Sequence, residues 1–203
     1  MAILIEQFGP KVQANEDLCI GCGNCVFYCP NDSVRMKSPG KACFNLSSCR
    51  GCGICVAFCP AGALDLEGLE REAISNLISR FSSKLETPRV LVFRCQWCVF
   101  STLGLNKNVG FIDLLCTGRI QAFHILEAFR KGIDGVMIVA CEADNCQLEK
   151  AGERLKPLVA VLQERLGVIG LQDRLHLCLA PPRASEIFEE ELEQFLMKIK
   201  ELK

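Results

Sequence analysis

The twelve residues at 19–30, CIGCGNCVFYCP, recur at 49–60 as CRGCGICVAFCP, an offset of 30 positions. No other feature restricts the fold so strongly. Each copy places four cysteines at C-x2-C-x2-C-x3-C and closes on proline, so the thiols must lie on tight loops. Glycines at 21, 23, 51 and 53 allow the backbone to wrap closely there. The first third of the chain therefore reads as one small domain made of two similar halves, bounded at about residues 1–67.

Fifteen cysteines in 203 residues need a reason. No apolar run reaches the roughly 20 residues that span a bilayer, and the first residues lack the pattern of a secretory signal. A cytoplasmic chain with no membrane span is expected. In a reducing compartment, cysteine density points to metal binding or redox work instead of structural disulfides. Lysine plus arginine number 23 against 24 acids. That balance offers no basic field for phosphates, so no nucleic-acid partner is expected.

The spacing chooses between metals. C-x2-C-x2-C-x3-C-P is the run of bacterial two-cluster ferredoxins, in which the fourth cysteine of each run ligates the other cluster. By that rule Cys19, Cys22, Cys25 and Cys59 hold one 4Fe-4S cluster, and Cys49, Cys52, Cys55 and Cys29 hold a second. Zinc favours paired knuckles of four ligands and fits two such runs poorly. With a thiolate on every iron no position is left for substrate, so these clusters are expected to carry electrons without catalysing a reaction. Residues 1–67 resemble a two-cluster ferredoxin, which implies an α+β ferredoxin-like small domain.

From Leu64 to Leu85 apolar residues recur at helical spacing until Thr87 and Pro88 interrupt them, giving a helical linker over 68–88. Short apolar runs then alternate with amphipathic stretches. Strands are predicted at 89–93, 109–115, 135–140 and 174–180, and helices at 118–131, at 147–166 with a bend near Pro157, and at 184–200. Such alternation implies parallel strands with helical crossovers. Residues 89–203 are thus expected to form an α/β doubly wound, flavodoxin-like parallel-sheet domain.

Five more cysteines follow the predicted strands: Cys95 and Cys98 after the first, Cys116 after the second, Cys141 and Cys146 after the third. Right-handed crossovers bring strand carboxyl ends to one edge, where open sheets bind ligands. The five thiols should converge there. Four of them suffice for a 2Fe-2S cluster with one to spare; zinc, or a redox disulfide between Cys95 and Cys98, would use the same groups. Two cubanes in the same chain favour iron-sulfur.

The segment CQWC...LCTGRIQAFHILEAFRKGIDGVMIVACEADNC, residues 95–146, resembles the delta subunit of methyl-viologen-reducing hydrogenases. The likeness rests on Cys95, Trp97 and Cys98; on Cys116, Gly118 and Arg119; and on Gly132, Asp134, Gly135, Val136, Cys141 and Cys146. It implies a 2Fe-2S cluster and an electron bridge between a hydrogenase, dehydrogenase or reductase and a heterodisulfide reductase A-type flavoprotein. It further implies a cytoplasmic complex that performs electron bifurcation. Thr117 stands where that family carries serine, and Glu142 where it carries histidine.

Other residues read as structural. Phe27, Tyr28 and Phe58 are expected to pack inside the small domain. Cys43 and Cys178 read as small buried hydrophobes, and His124 and His176 as hydrogen-bonded structural histidines. Arg119 suits either a solvated helix start or charge compensation at a cluster. Trp97 suits either a packed aromatic or a shield over the site. No phosphate cradle for a flavin and no nucleophile with a neighbouring base is visible. The rival reading is a thiol/disulfide redox-sensing module.

Overall fold

The computed structural model describes residues 11–98, 107–148, 151–181 and 185–202. The chain forms two compact units, Met1–Ile74 and Ser75–Lys203.

In the first unit, β1 (Val12–Ala14) pairs antiparallel with β4 (Leu64–Leu66), while β2 (Val34–Lys37) pairs antiparallel with β3 (Lys41–Phe44). The two cysteine repeats lie between these ribbons. Each repeat contains a single helical turn, α1 (Asn24–Phe27) and α2 (Ile54–Ala57), started by a glycine in the left-handed region, Gly23 and Gly53. Val12, Val34, Ala42, Val56, Leu64 and Leu66 form the small core, and five of the cysteines pack against it. Tyr28 and Phe58, equivalent in the two repeats, stack with ring centroids 3.7 Å apart. Phe27 does not join them. It is 80% exposed, because the one-turn helix that carries it is too short to turn every side chain inward.

The helical pattern begins later than the sequence suggests. Leu64–Leu66 is a strand, since Leu64 and Leu66 alternate toward the core and find partners at Ala14 and Val12. Helix α3 (Arg71–Lys84) follows. Within the second unit, its later turns pack instead of hanging free. The Ser75 hydroxyl donates to the Glu127 carboxylate. Lys131 reaches both Glu127, at 3.3 Å, and the Ser79 hydroxyl. Ser82 donates to the Lys131 carbonyl.

The second unit is built on a four-stranded parallel sheet: β5 (Val90–Cys95), β6 (Val109–Leu114), β7 (Gly135–Cys141) and β8 (Leu175–Ala180), in the order β6-β5-β7-β8. Residue alternation divides its two faces. Val90, Val92, Met137, Val139 and Cys178 meet Phe188, Leu192, Phe195 and Ile199 of α6 (Ser185–Glu201). On the opposite face lies α5 (Ala151–Gly167), whose helical run continues through Pro157. Positions 149–150 and 184, parts of the predicted helices, lie outside the described residues. Where one helix was expected over 118–131, there is a 3-10 turn (Thr117–Arg119) and then α4 (Ala122–Arg130). The break arises because Ile120 and Gln121 are extended, and Gln121 and His124 form a reciprocal cap that starts α4 afresh.

Two close packings invite measurement. A Cβ on Gly152, in the first turn of α5, would sit 2.2 Å from the Cys141 carbonyl oxygen. Backbone cannot yield there, so Gly152→Ala is expected to destabilise the chain by about 1–3 kcal/mol in anaerobic urea denaturation. Glu127 is buried; burial works to raise its pKa, but the Ser75 hydroxyl and the Lys131 ammonium outweigh it and leave the value lowered. A lowered folded-state value means stabilisation that is complete above the ordinary carboxylate range and lost as pH falls through the folded value. Glu127→Ala is expected to cost about 1–3 kcal/mol near neutral pH, with the deficit shrinking in acid.

Candidate metal centres

Each cysteine repeat contributes to two hollows in the first unit. One is lined by Cys19, Cys22, Cys25 and Cys59, the other by Cys29, Cys49, Cys52 and Cys55. Three consecutive thiols of one repeat thus face the fourth thiol of the other, as the spacing rule requires. Backbone geometry holds them. The Ser33 N–H donates to Cys29 Sγ and the Ala63 N–H to Cys59 Sγ, both at 3.3 Å and at equivalent places in the repeat. At Cys19 the pKa is lowered, first by the Ala42 N–H and then by the Gly21 N–H. Gly21 is required there: its φ is +71°, and a Cβ would lie 2.4 Å from the Gly40 carbonyl oxygen. Burial raises the pKa of Cys25 and Cys55.

The repeats are alike in sequence and unlike in surroundings. Cys22 is exposed, whereas its counterpart Cys52 is 8% exposed. Ile20 and Phe27 are exposed beside the first loop, whereas Gly51 and Gly53 of the second are buried.

In the second unit the five later cysteines gather at the carboxyl edge of the sheet. Cys95 ends β5, Cys98 lies in the turn after it, and Cys116 follows β6. Cys141 ends β7, and Cys146 follows a short 3-10 turn, Ala143–Asn145. The sulfurs of Cys95, Cys98 and Cys141 lie within 4.8 Å of one another. Cys95 Sγ is 3.7 Å from Cys141 Sγ, and Cys98 Sγ is 3.1 Å from it. A third hollow is lined by Cys95, Cys116, Cys141 and Cys146, with Trp97 and Thr117 beside them.

Sulfur charge is again met by amides. The Gly118 N–H donates to Cys116 Sγ at 3.3 Å, capping the turn. Cys95 has a lowered pKa because the Cys141 and Cys98 thiols donate to it, helped by the N–H groups of Trp97 and Thr117. Cys98 moves the other way, raised first by its hydrogen bond to Cys141, then by Cys95 and by burial. Such donors suit anionic sulfur, which is what metal ligation and a reducible cluster require.

The remaining residues sort themselves by burial. Trp97 lines the third hollow and is 41% exposed, so it lies between that hollow and water. Arg119 is 1% exposed, which rules out the solvated reading. His124 is buried with Nδ1 accepting from the Gln121 N–H, and His176 pairs with Glu191 at 2.7 Å. Cys178 is buried against α6 and Cys43 is half-buried on β3. The glycine-rich loops are expected to aim amides at sulfur, and the Gly21 N–H does so at Cys19; the role of Gly152 carries no sequence signal, because it depends on where the chain returns.

Residues 90–203 match the family described as methyl-viologen-reducing hydrogenase, delta subunit. Residues 18–63 match the 4Fe-4S dicluster domain. The A-type polypeptide of ferredoxin:CoB-CoM heterodisulfide reductase from Methanosarcina mazei is 32% identical over 196 residues, covering 92% of this chain and 25% of its own length. The D-type iron-sulfur polypeptide of the vhc F420-non-reducing hydrogenase from Methanococcus voltae is 29% identical over 93 residues, 42% of this chain and 65% of its own length. Its vhu counterpart from Methanocaldococcus jannaschii is 30% identical over 106 residues, 50% of this chain and 77% of its own length. The chain thus spans about a quarter of the heterodisulfide reductase polypeptide it matches. No helix among the described residues is long and apolar enough to cross a membrane. With more than half of its length matched, this chain belongs to the methyl-viologen-reducing hydrogenase delta-subunit family, with a 4Fe-4S dicluster domain preceding the family's characteristic part.

Proposed function

We propose that the chain is a non-catalytic iron-sulfur electron-transfer subunit that binds two 4Fe-4S clusters and one 2Fe-2S cluster. The observation that carries this reading is the grouping of twelve cysteines, four each, around three hollows. Cys19, Cys22, Cys25 and Cys59 would hold one 4Fe-4S cluster, and Cys29, Cys49, Cys52 and Cys55 the other. The 2Fe-2S cluster would draw its ligands from Cys95, Cys98, Cys116, Cys141 and Cys146.

When bound, the clusters supply one-electron chemistry at sulfur-ligated iron. The protein's part is to hold the thiolates at fixed separations, to offset their charge with amide N–H groups, and to limit water at the sheet edge with Trp97. Two 4Fe-4S sites in one unit and a 2Fe-2S site in another suit a relay between two redox partners. The relatives named as heterodisulfide reductase and hydrogenase polypeptides indicate their kind. One partner would be a heterodisulfide reductase A-type flavoprotein. The other would be a hydrogenase, dehydrogenase or reductase, in a cytoplasmic complex capable of electron bifurcation.

The rival reading expects a switchable disulfide between Cys95 and Cys98; the sulfur contact that gives a dithiol switch some footing is instead Cys98 to Cys141, at 3.1 Å. Metal analysis separates the two. Anaerobically purified protein is expected to contain about ten irons per chain, with a 2Fe-2S signal beside those of the cubanes in electron paramagnetic resonance. About eight irons with one zinc, or about eight irons with an alkylation-resistant Cys98–Cys141 pair, would remove the third cluster and with it the relay.

A further inference from the structure

Two cubanes with the same kind of thiolate on every iron differ through what surrounds them: nearby charge, hydrogen bonds at sulfur and exposure set the potential once the cluster type is fixed. Some of those surroundings are shared here. The Ser33 N–H at Cys29 Sγ and the Ala63 N–H at Cys59 Sγ are equivalent, both at 3.3 Å, and so favour neither site.

Lys41 is not shared. From the start of β3 the half-buried side chain donates its ammonium to two main-chain carbonyls of the first cysteine loop, Glu16 at 2.8 Å and Cys19 at 2.7 Å. The Glu16 carbonyl also accepts the Cys19 N–H at 3.3 Å, so one lysine closes the turn that presents Cys19. The N–H of Ala42, next along β3, is directed to the Cys19 sulfur. Of the acids beside this turn, Glu16 is engaged by Lys37 at 2.7 Å and Asp17 is exposed.

Among the described residues the second repeat has no counterpart to this clamp. Thirty positions before Lys41 stands Lys11, which is exposed, and in the place of Glu16 stands Leu46. There the Cys49 N–H goes to the Asn45 carbonyl at 3.2 Å. Arg50 lies at the second hollow but is exposed, so water and ions screen its charge.

We propose that Lys41 is a positioning residue for the first 4Fe-4S site: it clamps the Cys19 loop and fixes beside it a positive charge that raises the reduction potential of the cluster held by Cys19, Cys22, Cys25 and Cys59. This rests on the two-cubane reading above. Each reduction adds one electron from the redox partner and breaks no bond, and a cation held at short range lowers the cost of the added charge.

The test uses the full chain, purified anaerobically and titrated with dithionite under electron paramagnetic resonance. Cys22→Ser, which alters a ligand of the first site, identifies the cubane signal that belongs to it. Lys41→Met and Lys41→Gln remove the charge, and Gln retains a donor for the carbonyls; Lys41→Arg retains both charge and donor. Both neutral variants are expected to keep the wild-type iron content while the midpoint potential of the first signal moves to a more negative value and the second stays. Lys41→Arg is expected to keep the wild-type potential, and Lys11→Met to leave both signals in place. The proposal is overturned if the first signal keeps its potential in the neutral variants, if both signals move together, or if Lys11→Met moves the second signal as far. It is overturned too if both neutral variants merely lose about four irons, which would make Lys41 a tether and nothing more. Failure of the underlying reading looks different, because the wild type itself would then show fewer than two cubane signals.

Discussion

Concentrating anionic sulfur inside a small protein creates repulsion, and the rest of this structure depends on how that repulsion is met. Each of the three clusters of thiols has at least one sulfur that accepts a backbone N–H: Cys59 from Ala63, Cys29 from Ser33, and Cys116 from Gly118. These donors are fixed by the path of the main chain, so the loops cannot vary freely in length or in conformation. The left-handed glycines before α1 and α2, the close approach of Gly21 to Gly40, and the tight seating of α5 on Cys141 follow from the same requirement. Apolar packing then has a limited task. In the first unit a few small side chains close the space behind the cysteines, and in the second a full parallel sheet holds the strand ends at constant spacing.

Local spacing made much of this legible in the sequence. The repeat indicated which thiols face one another, and the hollows group the same eight. Alternation of strand and helix identified four strands within a residue or two of their bounds and brought five cysteines to one edge. What escaped depends on distant chain. Leu64–Leu66 became a strand because Val12 and Ala14 come alongside it. Arg119 is buried by its tertiary surroundings, and Phe27 is exposed because its helix is a single turn; periodicity registers neither.

Two lengths of similarity bear on the functional reading. A single alignment with the Methanosarcina mazei polypeptide runs through both units, while the hydrogenase polypeptides match half the chain or less. The pairing of a dicluster domain with a delta-subunit domain is therefore found within a longer polypeptide as well as here. The units differ in what they bring together: one has two hollows lined by cysteine repeats, the other a hollow at a sheet edge.

The two cysteine repeats also have unequal neighbours. Water reaches Cys22 and scarcely touches Cys52, so identical ligand chemistry is set in two dielectric environments. The loop of the first repeat is therefore the better solvated of the two. Duplication of the motif has thus produced a polarised pair, with an inner and an outer member, from two copies of almost the same twelve residues.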